Sequence, residues 1–121
     1  MPKPVILVID DDVPILTLMQ NVLREFGFEA RTANNYRAAA DVARTSSPDL
    51  ILLDKNMPGA SVDETIQSLR SASSGVPILI LSGEPLEPRE IAELGAAGAV
   101  MKPFDVVQLV ERIRSVVGVA K

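Results

Sequence analysis

Asp10, Asp11, Asp12, Asp54, Ser82 and Lys102 are the side chains of this sequence whose types and placing suit chemistry. Each closes an apolar run: three acids follow "VILVI", Asp54 follows "LILL", Ser82 follows "PILIL" and Lys102 follows "GAVM". Three or more carboxylates in one crevice repel one another unless a cation sits among them. Hard oxygen ligands without histidine or cysteine point to Mg²⁺ (or Mn²⁺), which keeps several waters and takes one or two carboxylates. A lysine and a hydroxyl beside such a cluster are what a phosphoryl group requires. An aspartate can itself be the nucleophile and form an acyl phosphate. No glycine-rich phosphate loop occurs, so a nucleotide is not the evident ligand.

Each piece also has a plain structural reading. Asp10 to Asp12 would suit the N-terminus of the helix that follows, where acids are favoured. Asp54 alone reads as a turn residue before Met57-Pro58-Gly59, and Lys102 alone as a solvated lysine. Their joint occurrence at the ends of four strands favours a site.

Those strands follow from the hydropathy pattern. Val5 to Ile9, Leu50 to Leu53, Val76 to Leu81 and Ala99 to Met101 are nearly continuous apolar runs, as in strands covered on both faces. Glu29 to Ala33 alternates and reads as a fifth strand nearer an edge. Helical patterns lie between. Ile15, Leu18, Met19, Val22, Leu23 and Phe26 share helical spacing between Pro14 and Gly27, on an apolar arc of about 160° with Leu16 and Leu23 at its edge. A small-residue segment runs from Tyr36 to Arg44. Ser61 and Glu64 form a capping-box signature, Pro88 to Leu94 is a short helix stopped by Gly95, and Asp105 caps a last helix. Strands alternating with helices predict an α/β fold: a parallel sheet between helix layers, with ligands outside the carboxyl ends of the strands.

Composition narrows the function. The 121 residues suit one domain with one core, and 47% are hydrophobic, too many for a disordered chain. There is no cysteine and no histidine, which removes thiolate chemistry and the usual general base. The net charge of -4, without a basic stripe, argues against direct nucleic-acid binding. No apolar run has the length of a membrane span, and the first is too short for a signal peptide; a cytoplasmic domain is the expectation.

The stretches "VILVIDDD", "PDLILLDKNMPG", "PILILSG" and "GAAGAVMKPF", in this order, resemble the receiver domain of two-component response regulators over essentially the whole length. The resemblance implies a flavodoxin-like (βα)5 three-layer sandwich with strand order 2-1-3-4-5, as one receiver domain over residues 1–121 with no output domain in this chain. It implies a Mg²⁺-dependent switch, not an enzyme beyond its own phosphorylation and dephosphorylation. The phosphodonor would be a histidine kinase or histidine phosphotransfer protein, and the output a downstream protein. Asp54 matches the phosphoacceptor, and Asp10 and Asp11 the metal-binding acid pair, with Asp11 the direct ligand and Asp10 acting through water. The backbone carbonyl of Asn56 matches the group completing the metal site. Ser82 and Lys102 match the hydroxyl and the lysine that meet the phosphoryl group, and Lys102-Pro103 matches a bond that is typically cis. In similar proteins the first helix docks the phosphodonor.

Three positions depart from the family pattern. Ala99 stands where many receivers carry an aromatic, so an aromatic rotamer is not the relay. Val62 stands where a glycine is frequent, and a β-branched residue disfavours positive φ there. The segment between Ser82 and Lys102 is short, leaving room for only a short fourth helix. One alternative is a pseudo-receiver that binds partners without being phosphorylated. Another is a haloacid-dehalogenase-like phosphatase, whose Asp-x-Asp-x-Thr/Val motif meets Pro14 at its last position.

Overall fold

The computed structural model describes residues 3–118; the first two residues and the last three, where the sequence reading placed the end of the domain, lie outside them. Strands β1 (Val5–Ile9), β2 (Glu29–Ala33), β3 (Leu50–Asp54), β4 (Ile78–Ser82) and β5 (Gly98–Met101) form one parallel sheet, in the expected order β2-β1-β3-β4-β5. Helices α1 (Val13–Glu25), α2 (Tyr36–Ser46), α3 (Val62–Ala72), α4 (Pro88–Leu94) and α5 (Val106–Val117) alternate with them.

Side-chain alternation along the central strands builds two cores. Ile6, Val8, Leu50, Leu52, Leu79 and Leu81 face α1 and α5. Leu7, Ile9, Ile51, Leu53, Ile78 and Ile80 face α2 and α3. These twelve side chains are at most 1% exposed, each worth about 1.5–3 kcal/mol of burial. Ala39 and Ala43 are the buried residues of α2, small enough for its backbone to lie close to the sheet. The result is the three-layer flavodoxin-like sandwich.

The helix ends follow local chemistry. Asp12 caps α1 by accepting the Ile15 N–H, Asp105 caps α5, and Ser61 with Glu64 closes a reciprocal capping box on α3. Val62 is therefore the first helical residue, with no need of a positive φ. On α1 the buried stripe is Leu16, Met19 and Leu23, at spacings of three and four, while Leu18 is 59% exposed. Leu16 and Leu23, expected at the edge of the apolar arc, instead lie in the core. Leu18, Ile15 and Val22 supply the excess width of that arc and leave an apolar flank beside the core.

β4 begins at Ile78 rather than Val76. Pro77 has no N–H to give a ladder, and the Val76 carbonyl accepts from the Arg70 guanidinium. β3 runs one residue past its apolar run because Asp54 pairs in register with Leu81.

Candidate functional site

The register of the sheet carries the candidate residues to one end. Asp10 follows β1, Asp54 ends β3, Ser82 ends β4 and Lys102 follows β5. Asp54 continues the alternation of Leu50 and Leu52, and Asp10 that of Ile6 and Val8, so both lean to the α1/α5 side. Both are buried. Lys102 Nζ lies 3.2 Å from Asp10 Oδ2 and 3.1 Å from Asp54 Oδ1. The Asp12 N–H donates to the other Asp10 oxygen at 3.0 Å. Carboxylate oxygens of Asp10, Asp11 and Asp54 fall within 4.8 Å of one another, with Asp11 exposed.

Two opposing effects act on Lys102. Burial disfavours the ammonium, but hydrogen bonds and charge from Asp54 and Asp10 outweigh it, holding its pKa above the ordinary 10.5. Lys102 is thus a fixed positive charge in the crevice at neutral pH. The Lys102-Pro103 bond is cis, as expected.

The three consecutive acids play different parts. Asp12 is the helix cap, whereas Asp10 and Asp11 stand at the crevice. The expectation of capping therefore holds for one of the three.

Ser82 is buried at the strand end but turned elsewhere. It shares the alternation of Ile78 and Ile80, opposite in face to Asp54. Its hydroxyl donates to the Glu84 carbonyl at 2.7 Å and accepts the Glu84 N–H at 3.1 Å. Asn56 is exposed in the loop after β3. In the same loop Gly59 has φ +95°, and the ring of Tyr36 packs on it so closely that an added Cβ would lie 3.1 Å from the ring.

Lys55 directly follows Asp54, and Glu84 lies two residues beyond Ser82. Glu84 acts through its backbone, as the partner of Ser82. Lys55 donates its N–H to Leu81 O at 2.9 Å, and its ammonium lies 3.7 Å from the Glu90 carboxylate on α4. No sequence spacing signals that pair, since the residues come from separate loops and elements.

Residues 6–114 match the family model for the response regulator receiver domain. The chain belongs to the response-regulator receiver family. The receiver is 35% identical over 115 residues to the transcriptional regulatory protein PrrA of Mycobacterium tuberculosis, covering 93% of this chain and 49% of that protein. It is 37% identical over 112 residues to the DNA-binding response regulator MtrA of Mycobacterium leprae, covering 91% and 49%. It thus spans about half the length of these curated relatives. Among solved structures, chemotaxis protein CheY4 of Vibrio cholerae superposes with a TM-score of 0.85 at 30% identity, over 94% of this chain and 98% of that one. A receiver domain protein of Methanospirillum hungatei gives 0.87 at 22% identity, over 96% and 94%, a likeness of fold. Among the described residues of the receiver, no helix is long and apolar enough to cross a membrane.

The donor set of the receiver fits a hard divalent cation. Three carboxylates offer oxygens within 4.8 Å of one another, without nitrogen or sulfur donors, and hard oxygen donors of this kind suit such a cation.

Proposed function

We propose that this receiver is a phosphoacceptor switch of a two-component or phosphorelay system, with Asp54 as the phosphorylated residue. The observation that carries the reading is the meeting of Lys102 with the buried Asp10 and Asp54, three residues from three strand ends, in one partly buried cluster. Mg²⁺, when bound, would supply the charge neutralisation that phosphoryl transfer between anions requires. Asp11 would hold it directly, Asp10 through water, and Asp54 and the Asn56 carbonyl would complete the set.

An Asp54 carboxylate oxygen attacks the phosphorus of a phosphohistidine on a histidine kinase or phosphotransfer protein. The P–O bond forms as the P–N bond breaks, and the imidazole nitrogen keeps the electron pair and is reprotonated. Lys102 is already beside Asp54 and follows the phosphoryl oxygens as they gain charge. Ser82 leaves the Glu84 carbonyl and donates its hydroxyl to the phosphoryl group. With no large side chain at Ala99, the loop after β4 and α4 carry the change.

The donor has a surface to dock on. Ile15, Leu18 and Val22 of α1, with Pro103, Phe104 and Val106, line an apolar groove of about 470 Å³ that reaches Lys102. A helix bearing the phosphohistidine would bury its apolar face there. The chain acts in the cytoplasm on a downstream protein, and turns over no substrate beyond its own phosphoryl group. DNA binding, named for MtrA, lies outside this reading, since the acidic receiver offers no basic stripe.

Intact mass after incubation with acetyl phosphate, with and without Mg²⁺, tests the reading. The expected result is a Mg²⁺-dependent gain of one phosphoryl group that is absent in Asp54→Asn. A folded, Mg²⁺-binding wild type that gains nothing from either acetyl phosphate or a phosphohistidine protein would make the chain a pseudo-receiver.

A further inference from the structure

Helix α4 is thinly attached. None of its seven residues is buried, and its N-cap, Glu87, makes no side-chain cap bond. Beneath it lies a cavity of about 210 Å³ between the loop after β4 and β5, bordered by Ser82, Leu86, Ile91, Ala99 and Met101. The small side chain of Ala99 leaves part of that space open.

Two polar ties reach this helix and its cap. At the C-terminal end, Arg70 of α3 donates to the Gly95 carbonyl at 3.0 Å. Nearer the N-terminal end, Glu90 meets Lys55 at 3.7 Å, the one ion pair to α4 among the described residues. Lys55 is the residue next to Asp54, and its backbone is fixed to Leu81 of β4. The pair therefore joins the strand end that carries Asp54 to the element resting over the cavity.

We infer that Lys55 and Glu90 form a latch that holds α4 down, with the Arg70–Gly95 end acting as its hinge. The latch biases α4 toward the closed position in the unphosphorylated chain. When Ser82 leaves Glu84, the loop before α4 loses two bonds, and the latch then sets how far the helix is released. The second half of this inference rests on the proposed phosphorylation of Asp54; the first half does not. The pair is partly exposed, with side chains 22% and 46% accessible. Such pairs shift an equilibrium by only about 1.5- to 5-fold. That suits a two-state element whose populations respond to small biases.

Amide hydrogen exchange over Arg89 to Gly95 tests the latch in the full unphosphorylated chain. Glu90→Gln and Lys55→Met should each speed exchange there about 1.5- to 5-fold, with α1 and α5 unchanged. The charge-swapped pair, Lys55→Glu with Glu90→Lys, should restore the slow rate. Phosphorylation should speed α4 exchange in the wild type, and by a smaller factor in Glu90→Gln. Single variants that exchange like the wild type, or a swap that rescues nothing, would overturn the latch. Failure of the wild type to take up phosphate, read separately by mass, would count against the proposed function and leave the latch standing.

Discussion

The Lys102 ammonium and the Asp54 carboxylate, 48 residues apart in sequence, meet at 3.1 Å. The same ammonium touches Asp10, whose second oxygen is occupied by the Asp12 N–H. One cation is thus shared between two buried acids, and an exposed third, Asp11, completes the triangle. Lys102 offsets the repulsion in the resting site, and the same charge lies where a phosphoryl group on Asp54 would need it.

Replacing Lys102 should therefore separate binding from chemistry. Lys102→Met should slow phosphorylation of Asp54 by about 10²–10³-fold, the scale for losing one donor to developing negative charge. Mg²⁺ binding should be as tight or tighter, because the ammonium no longer competes for Asp10 and Asp54. Calorimetric Mg²⁺ titration alongside phosphorylation followed by mass distinguishes the two effects; a parallel loss of both would mean that Lys102 organises the fold of the site.

The raised pKa of Lys102 carries a signed consequence for stability. A cation whose folded pKa exceeds its unfolded value contributes fully below the ordinary 10.5, and the contribution is lost as pH rises through the folded value. The stability advantage of the wild type over Lys102→Met should be level from neutral pH to about pH 10 and fall above it. Denaturant midpoints measured across that range check this, and an advantage that grew with alkalinity would contradict it.

The capping box on α3 is a local, separable element. Ser61→Ala removes the acceptor for the Glu64 N–H at 3.1 Å and should cost about 1 kcal/mol by chemical denaturation. Ser61→Asp should recover most of it. Phosphorylation should persist in both, since α3 is anchored independently by Ile66 and Leu69 in the core.

Much of this was legible in the sequence because two regular signals agreed. Continuous apolar runs located buried parallel strands, and Asp12, Ser61, Asp105 and Gly95 marked helix ends by their own chemistry. Side-chain direction at the strand ends was harder to read. Asp54 and Ser82 both close strands, yet alternation sends one toward Lys102 and the other to Glu84. The width of the α1 arc was misleading for a related reason: a helix can bury Leu16 and Leu23 while offering Ile15 and Leu18 to a groove. Long-range polar ties, Arg70 to Gly95 and Lys55 to Glu90, depend on the relative placement of whole elements. No spacing within one segment encodes them.

The contact of Tyr36 with Gly59 has one more consequence. The chain has one tyrosine and no tryptophan, and that ring rests on the turn following the strand that delivers Asp54. These 121 residues therefore carry a single strong native fluorophore, seated at the loop that follows Asp54. Its emission is an intrinsic, label-free optical probe of that loop.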